Sequence, residues 1–325
     1  MLKIIYISCF IVSAFGTWGT MKYAHKLGFM DTPNGRSSHG EPTPKGGGVG
    51  ILAALLVGCL FFRVESQLWG TAIVISLASL WGGDKHRLSV RVRLIIQFVC
   101  SFYFLAPFIL QHGSLGFLLL GIFMAFFIVG TTNFYNFMDG IDGIAGVTGV
   151  IGFGLLYFYS GLNGSDRVYG ELCMVLVIAC LGFLCFNFPK ARVFLGDVGS
   201  ILLGFLFACM VILIFQDLLD FIVMVGFLAP FYYDELFTMA TRAKAGDSLL
   251  VPHRKHVYQL LVNECGVRHW KISATYGAVQ GLVGISGILA ASKGLFPVVF
   301  VYMIFGLIFF ILSKAIRKRA GQKFL

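Results

Sequence analysis

The chain has 325 residues, 58% of them hydrophobic and only 12% charged, with a mean hydropathy of +0.86. Soluble globular domains carry roughly 45–50% apolar and about 25% charged residues, so that class is excluded, and with it intrinsic disorder and a secreted disulfide scaffold. The formal charge is +10, from 25 Lys and Arg against 15 Asp and Glu, and its placement along the chain points to membrane topology instead of nucleic acid.

A bilayer-spanning helix needs about 20 mostly apolar residues. In chain order, eleven runs read as spans: Leu2–Met21, Gly47–Phe62, Leu68–Gly82, Leu94–Leu110, Leu115–Thr132, Ile144–Ser160, Tyr169–Phe186, Val198–Phe215, Leu219–Phe237, Ile272–Ala291 and Leu295–Ser313. The first lacks a small-residue cleavage pattern and reads as a retained helix, not a signal peptide. The expected fold is therefore all-α, a polytopic bundle of about eleven transmembrane helices forming one domain over 1–325. Segments 22–46, 83–93, 133–143, 187–197, 238–271 and the tail from Lys314 hold 21 of the 25 Lys and Arg residues. The positive-inside rule makes these segments cytoplasmic, which places the N-terminus outside and the C-terminus inside. The basic end of the chain suits anionic membrane lipid. Seven of the eight cysteines fall in the runs and no metal-type spacing appears, so they read as small packing residues.

Polar residues mark the same face. Asp31, Asp84, Asp139, Asp142, Asp197, His253, Arg254 and His256 sit in or beside those connections, while the helix centres read as nearly free of charge. Mid-bilayer chemistry would place ionisable groups in the centres, so a site at the inner membrane–water boundary is expected.

Four segments carry that expectation. After the first helix, two Pro turns lead to Lys45-Gly-Gly-Gly48, where bare backbone and a cation suit a phosphate; an ordinary polar turn is the plain alternative. Asn133-Phe-Tyr-Asn136-Phe-Met-Asp139-Gly-Ile-Asp142-Gly143 offers two carboxylates three apart, fit to face a cation or a sugar, or simply to favour a helix dipole. Its spacing does not fit an EF-hand. Asp197, between glycines in Phe194-Leu-Gly-Asp-Val-Gly199, is either an N-terminal cap or a hard-cation ligand. Pro252-His253-Arg254-Lys255-His256 suits a pyrophosphate, with a solvated basic loop as the alternative and no completing zinc ligands nearby.

Together and in this order, the motifs resemble the polyprenyl-phosphate N-acetylhexosamine-1-phosphate transferases (glycosyltransferase family four) over nearly the whole chain. The stretches SSHGEPTPKGGG and HRKHVYQ look most like the branch that initiates O-antigen synthesis, whose donors include UDP-linked N-acetylfucosamine or N-acetylquinovosamine. The resemblance implies a Mg2+-dependent transfer, with Mn2+ as an alternative metal. A UDP-N-acetylaminosugar would give its sugar 1-phosphate to polyprenyl (undecaprenyl) phosphate, releasing UMP, in a bacterial inner membrane. It implies Asp197 as metal ligand, joined by Asn136, and Asp139 and Asp142 beside the nucleotide with Asn133 close by. Lys45 would meet the uridine diphosphate, and His253, Arg254 and His256 the donor's pyrophosphate and sugar. A homodimer is left open, and nucleic acid is not an expected partner.

One position departs from the pattern. The family usually carries adjacent aspartates after the third helix, where this chain reads Gly83-Asp84, so Asp84 alone remains as the catalytic candidate there. A phosphate monoester has its second pKa near 6 and is mostly dianionic at neutrality, leaving little proton for a base to remove. Two rival classes stand beside the enzyme: a transporter or flippase, which would show mid-helix charges or paired broken helices, and a catalytically inactive lipid-phosphate-binding homologue, for which Gly83 speaks.

Overall fold

The computed structural model describes residues 1–33, 38, 40–80, 88–248 and 253–321. Asp84, with its neighbours Gly83, Lys85 and Arg87, lies outside the described residues, as does Pro252. The helices are α1 (Leu2–Leu27), α2 (Gly48–Phe62), α3 (Ser66–Leu80), α4 (Val90–His112), α5 (Leu115–Phe137), α6 (Ile144–Asn163) and α7 (Arg167–Asn187). They continue with α8 (Asp197–Ile214), α9 (Leu218–Val225), α10 (Ala229–Lys244), α11 (Val257–Asn263), α12 (His269–Ala291) and α13 (Leu295–Arg319). A two-stranded antiparallel ribbon, β1 (Met30–Asp31) with β2 (Thr43–Pro44), joins α1 to α2. The protein is an all-α polytopic membrane bundle. Among the described residues, nine spans are long and apolar enough to cross a bilayer, counting Leu218–Lys244 as one. The apolar helices α2 and α3 are shorter, at 15 residues each.

Among the described residues, all eleven predicted runs fall in helices, but several helices outlast their apolar stretch. α5 continues to Phe137 and so carries Asn133 and Asn136, and α4 begins at Val90 and so carries Arg91 and Arg93. Hydropathy marks where lipid ends, whereas a helix stops where its end groups find caps. Ser89 Oγ accepts from Val92 N–H at 3.3 Å, Ser114 Oγ from Phe117 N–H at 3.4 Å, and Asp166 Oδ1 from Val168 N–H at 2.9 Å.

α8 forms the axis of the bundle. Its sequence is apolar all round, every residue from Val198 to Val211 is buried, and α2, α3, α5 and α6 pack against it. α13 is the opposite case, with Phe296, Phe300, Met303, Leu307 and Ile311 exposed as a lipid-facing stripe.

The ninth run is not one helix. A 3-10 turn at Gly226–Leu228 separates α9 from α10, and Pro230 at the start of α10 has no N–H to offer the preceding turn. In lipid the freed carbonyls need partners. Tyr302 Oη donates to Val223 O at 2.8 Å and Gln280 Nε2 to Phe227 O at 2.8 Å. Gly226 lets the Tyr302 ring in, since a Cβ there would meet Tyr302 Cζ at 2.1 Å. Among the described residues this break has no counterpart in a second half, so the paired breaks of a transporter are not seen. The same run also corrects the expectation of charge-free helices: Asp234 and Glu235 lie within it and are buried.

α2 and α8 begin almost in backbone contact. A Cβ on Gly48 would sit 2.2 Å from Gly199 Cα, and one on Gly199 would sit 2.8 Å from Gly48 Cα. Gly48→Ala therefore forces two backbones apart, and we expect it to lower stability by about 1–3 kcal/mol. Thermal unfolding in detergent checks this. Gly161→Ala is the control, because a Cβ at Gly161 meets nothing within 4 Å; equal melting of the two variants would refute the contact.

Candidate active site

Five connections converge on one end of the bundle and line a cleft of about 390 Å³. Asp31, Ser38, Lys45 and Gly46 come from the α1–α2 connection, Leu88 and Arg93 from the start of α4, and Asn136 and Asp139–Asp142 from the end of α5. Asn187 and Phe194–Asp197 arrive from α7–α8, Gln259 from α11 and His269 from α12. The volume falls in the range of ligand clefts, roughly 300–1,000 Å³.

The Lys45 and Asp197 segments are fastened together. Phe194 N–H donates to Pro44 O at 2.8 Å, the N–H groups of Gly46 and Gly47 donate to Phe194 O at 3.1 and 2.9 Å, and Gly48 N–H donates to Leu195 O at 3.0 Å. Gly196 turns the chain at φ 73, a conformation L side chains rarely adopt, and Asp197 opens α8. Its carboxylate accepts from Arg93 Nη1 at 3.1 Å and lies 3.4 Å from Asn136 Nδ2, which also donates to Ser200 Oγ at 2.8 Å. The Asp197 side chain is 54% exposed, so it is open to a ligand as well as to Arg93. Lys45 Nζ stands 3.9 Å from Asp31.

The turn after α5 holds the other two carboxylates. Gly143 (φ 82) leaves no room for a Cβ, which would strike Phe188 Cδ2 at 2.6 Å, and its N–H donates to Asn187 Oδ1 at 2.8 Å. Burial, followed by the charges of Asp197 and Asp142, pushes the Asp139 carboxyl up to about 7. Asp142 Oδ2 is 3.3 Å from His269 Nδ1, and Ser273 Oγ donates to Asp142 O at 2.7 Å.

Of the expected site residues, Lys45, Asn136, Asp139, Asp142 and Asp197 meet in this cleft. Asn133 does not line it: its amide donates to Gln97 Oε1 at 2.6 Å and to Val129 O at 2.7 Å, joining α5 to α4. His253, Arg254 and His256 are also absent from its lining. Arg254 pairs with Glu264 at 3.8 Å. His256 is buried between Asp234 and Glu235 at 3.7 and 3.4 Å. The His253 ring lies 4.8 Å from His256, and burial, followed by the charge of His256, pushes its imidazole down to about 3, so it is neutral near pH 7.

Two groups went unread in the sequence. Asp234, wholly buried, accepts from Val257 N–H at 2.8 Å, Tyr258 N–H at 3.2 Å, Tyr276 Oη at 2.7 Å and Thr238 Oγ1 at 3.2 Å, and so holds the 253–258 segment against α10 and α12. Arg317 Nη2 donates to the same Thr238 hydroxyl at 2.7 Å. His269 is the second. A readable signal existed for Asp234, since an Asp-Glu pair inside an apolar run needs a reason; a lone His at a helix start gave none.

A membrane-embedded helical bundle with carboxylates, cations and amides gathered in one cleft at its end is the layout of an enzyme for phosphorylated, lipid-borne ligands. The glycosyl transferase family 4 model matches residues 66–215. The chain is 26% identical over 322 residues to a probable undecaprenyl-phosphate N-acetylglucosaminyl 1-phosphate transferase of Bacillus subtilis, covering 93% of this chain and 88% of that protein. It is 28% identical over 280 residues to the undecaprenyl-phosphate alpha-N-acetylglucosaminyl 1-phosphate transferase of Thermotoga maritima, covering 85% and 88%. It is also 27% identical over 294 residues to a phospho-N-acetylmuramoyl-pentapeptide-transferase of Bacillus mycoides, covering 81% and 89%. The chain is thus similar, over residues 66–215, to glycosyl transferase family 4 and, over most of its length, to undecaprenyl-phosphate N-acetylglucosaminyl 1-phosphate transferases.

Proposed function

We propose that the protein transfers an N-acetylaminosugar 1-phosphate from a UDP-sugar to undecaprenyl phosphate at the cytoplasmic face of a bacterial inner membrane. The observation that carries this is the meeting of Lys45, Arg93, Asn136, Asp139, Asp142 and Asp197 in one cleft at the end of a lipid-facing bundle. An oxygen of the lipid phosphate bonds to the β-phosphorus of the donor. The bond from that phosphorus to the bridging oxygen breaks, and its electron pair leaves with UMP. The product stays in the membrane as the first lipid-linked intermediate of O-antigen or another envelope polysaccharide.

Charge sets the barrier. Two unit charges 4 Å apart repel by about 4 kcal/mol at an effective dielectric of 20, and two dianions multiply that roughly fourfold. Arg93 and Lys45 supply positive potential from two walls of the cleft. Burial, followed by the charges of Asp197 and Asp142, holds the Asp139 carboxyl up, so the cleft suits a cation. Among the described residues no three His, Cys, Asp or Glu side chains form a cage. That fits Mg2+, which is held by one or two carboxylates plus substrate phosphates. Asp197 would hold it, with Asn136 through its amide oxygen after a flip that the Ser200 hydroxyl, able to donate or accept, tolerates. When bound, Mg2+ neutralises charge on the phosphates. The protein's own work is to align the two reactants while the isoprenoid tail remains in lipid.

The test is transfer of radiolabel from UDP-N-acetylglucosamine and other UDP-aminosugars to undecaprenyl phosphate by purified protein, with UMP measured in parallel. Label in the lipid extract is expected, and mass spectrometry of the product names the sugar. Nucleotide binding with no lipid-linked product for any donor would overturn the reading in favour of the inactive homologue that Gly83 suggests.

A further inference from the structure

We propose that His269 is a specificity-determining residue that contacts the uncharged part of the donor through Nε2; the inference rests on the transferase reading above. His269 is the first residue of α12 and lines the cleft. Its Nδ1 is occupied at 3.3 Å from both Asp142 Oδ2 and the Asp142 N–H. Nε2 has no hydrogen-bond partner among the described residues, and the side chain is 22% exposed. Asp142 is itself fixed by the Ser273 hydroxyl on its carbonyl. A ring so oriented, with Nδ1 accepting from the Asp142 backbone N–H that Ser273 helps to fix, is held for contact with something else in the cleft.

The chemistry of this end sets the class of group it meets. Arg93 pairs with Asp197, and the Lys45 segment is bonded to the Asp197 segment, so the phosphates belong there. Next to His269 stands Asp142, with Gln259 lining the same cleft, and a phosphate placed beside Asp142 would face a carboxylate. Hydroxyl, acetamido and imide groups instead offer donors and acceptors to a carboxylate, an amide and an imidazole nitrogen together. Both the sugar and the nucleobase of a UDP-aminosugar carry such groups.

Titration calorimetry with UDP-N-acetylglucosamine, and separately with UMP, tests the contact on full-length protein in detergent with magnesium present. His269→Asn keeps a polar atom near Nδ1 and loses Nε2, whereas His269→Gln can place an amide near Nε2. His269→Ala and His269→Asn are expected to weaken binding about tenfold, the value of one hydrogen bond, with His269→Gln within about threefold of wild type. The three variants are expected to melt within a few degrees of wild type. Weakening with both ligands assigns the contact to the nucleoside, and weakening with UDP-N-acetylglucosamine alone assigns it to the sugar. A His269→Asn variant that binds like wild type would leave the ring only bracing Asp142 and overturn the proposal. So would a His269→Gln variant as weak as His269→Ala. Wild-type binding without any lipid-linked product would instead strike the transfer reaction and leave this contact standing.

Discussion

Asp197→Ala is expected to abolish measurable release of UMP and formation of lipid-linked sugar, a loss of at least about a hundredfold in turnover. The carboxylate is the point on which the Arg93 guanidinium, the Asn136 amide and the first turn of α8 converge. Its removal leaves Arg93 without that partner and deletes the negative group best placed to hold a divalent ion against the two phosphates. The fold should survive. The side chain is 54% exposed, and an acid at a helix N-terminus stabilises by about 0.3–1 kcal/mol. Transfer assays beside a melting curve separate the two effects, and a variant that stays folded and fully active would remove Asp197 from the chemistry. Asp197→Asn keeps the shape and loses the charge, so activity in it near wild type would point to hydrogen bonding instead of cation binding.

The second large effect comes from a residue outside the cleft. Asp234→Ala leaves the N–H groups of Val257 and Tyr258 without their acceptor in a buried place, at about 1–3 kcal/mol each. It also frees the hydroxyl of Tyr276 and removes the carboxylate beside His256. We expect the melting temperature to fall by several degrees and transfer to fall with it, because the 253–258 segment that leads into α11 and Gln259 is no longer held. Asp234→Asn retains one acceptor oxygen and should lose about half as much stability. If Asp234→Ala melted like wild type, the carboxylate would not be what holds the segment. Limited proteolysis reads the same event locally, since cleavage near Lys255 should accelerate in Asp234→Ala.

The apolar runs were legible because lipid imposes one rule on every spanning helix, and among the described residues each predicted run falls in helix, the ninth with a break. Lys45, Asn136, Asp139, Asp142 and Asp197 stood out because short polar motifs between apolar runs have few structural duties. Their meeting in one cleft follows from alternate connections lying at one end of a bundle. Partnerships between helices were not legible. Nothing near Asn133 says that its amide faces Gln97 on α4, and nothing near His256 says that its ring is sealed between Asp234 and Glu235. The pattern of cations around His253 reads as a binding loop, yet burial takes away the charge of its imidazole. The break between α9 and α10 was missed for a similar reason. Its carbonyls are satisfied by Tyr302 and Gln280, residues more than fifty positions away.

The abutment of Gly48 on Gly199 bears on how the enzyme accommodates its cargo. With main chain seated on main chain, the spacing of the Lys45 strand from the Asp197 turn is built into the skeleton and does not respond to rotamer changes. Under the proposed reaction, that wall would act as an anvil of set width, gauged to the diphosphate common to every nucleotide sugar. Variation in the sugar would be absorbed elsewhere in the cleft, where side chains such as Gln259 on α11 and His269 on α12 can be exchanged without disturbing that seam. Relatives with different donor tastes would then diverge at those positions while the glycine seam stays shut.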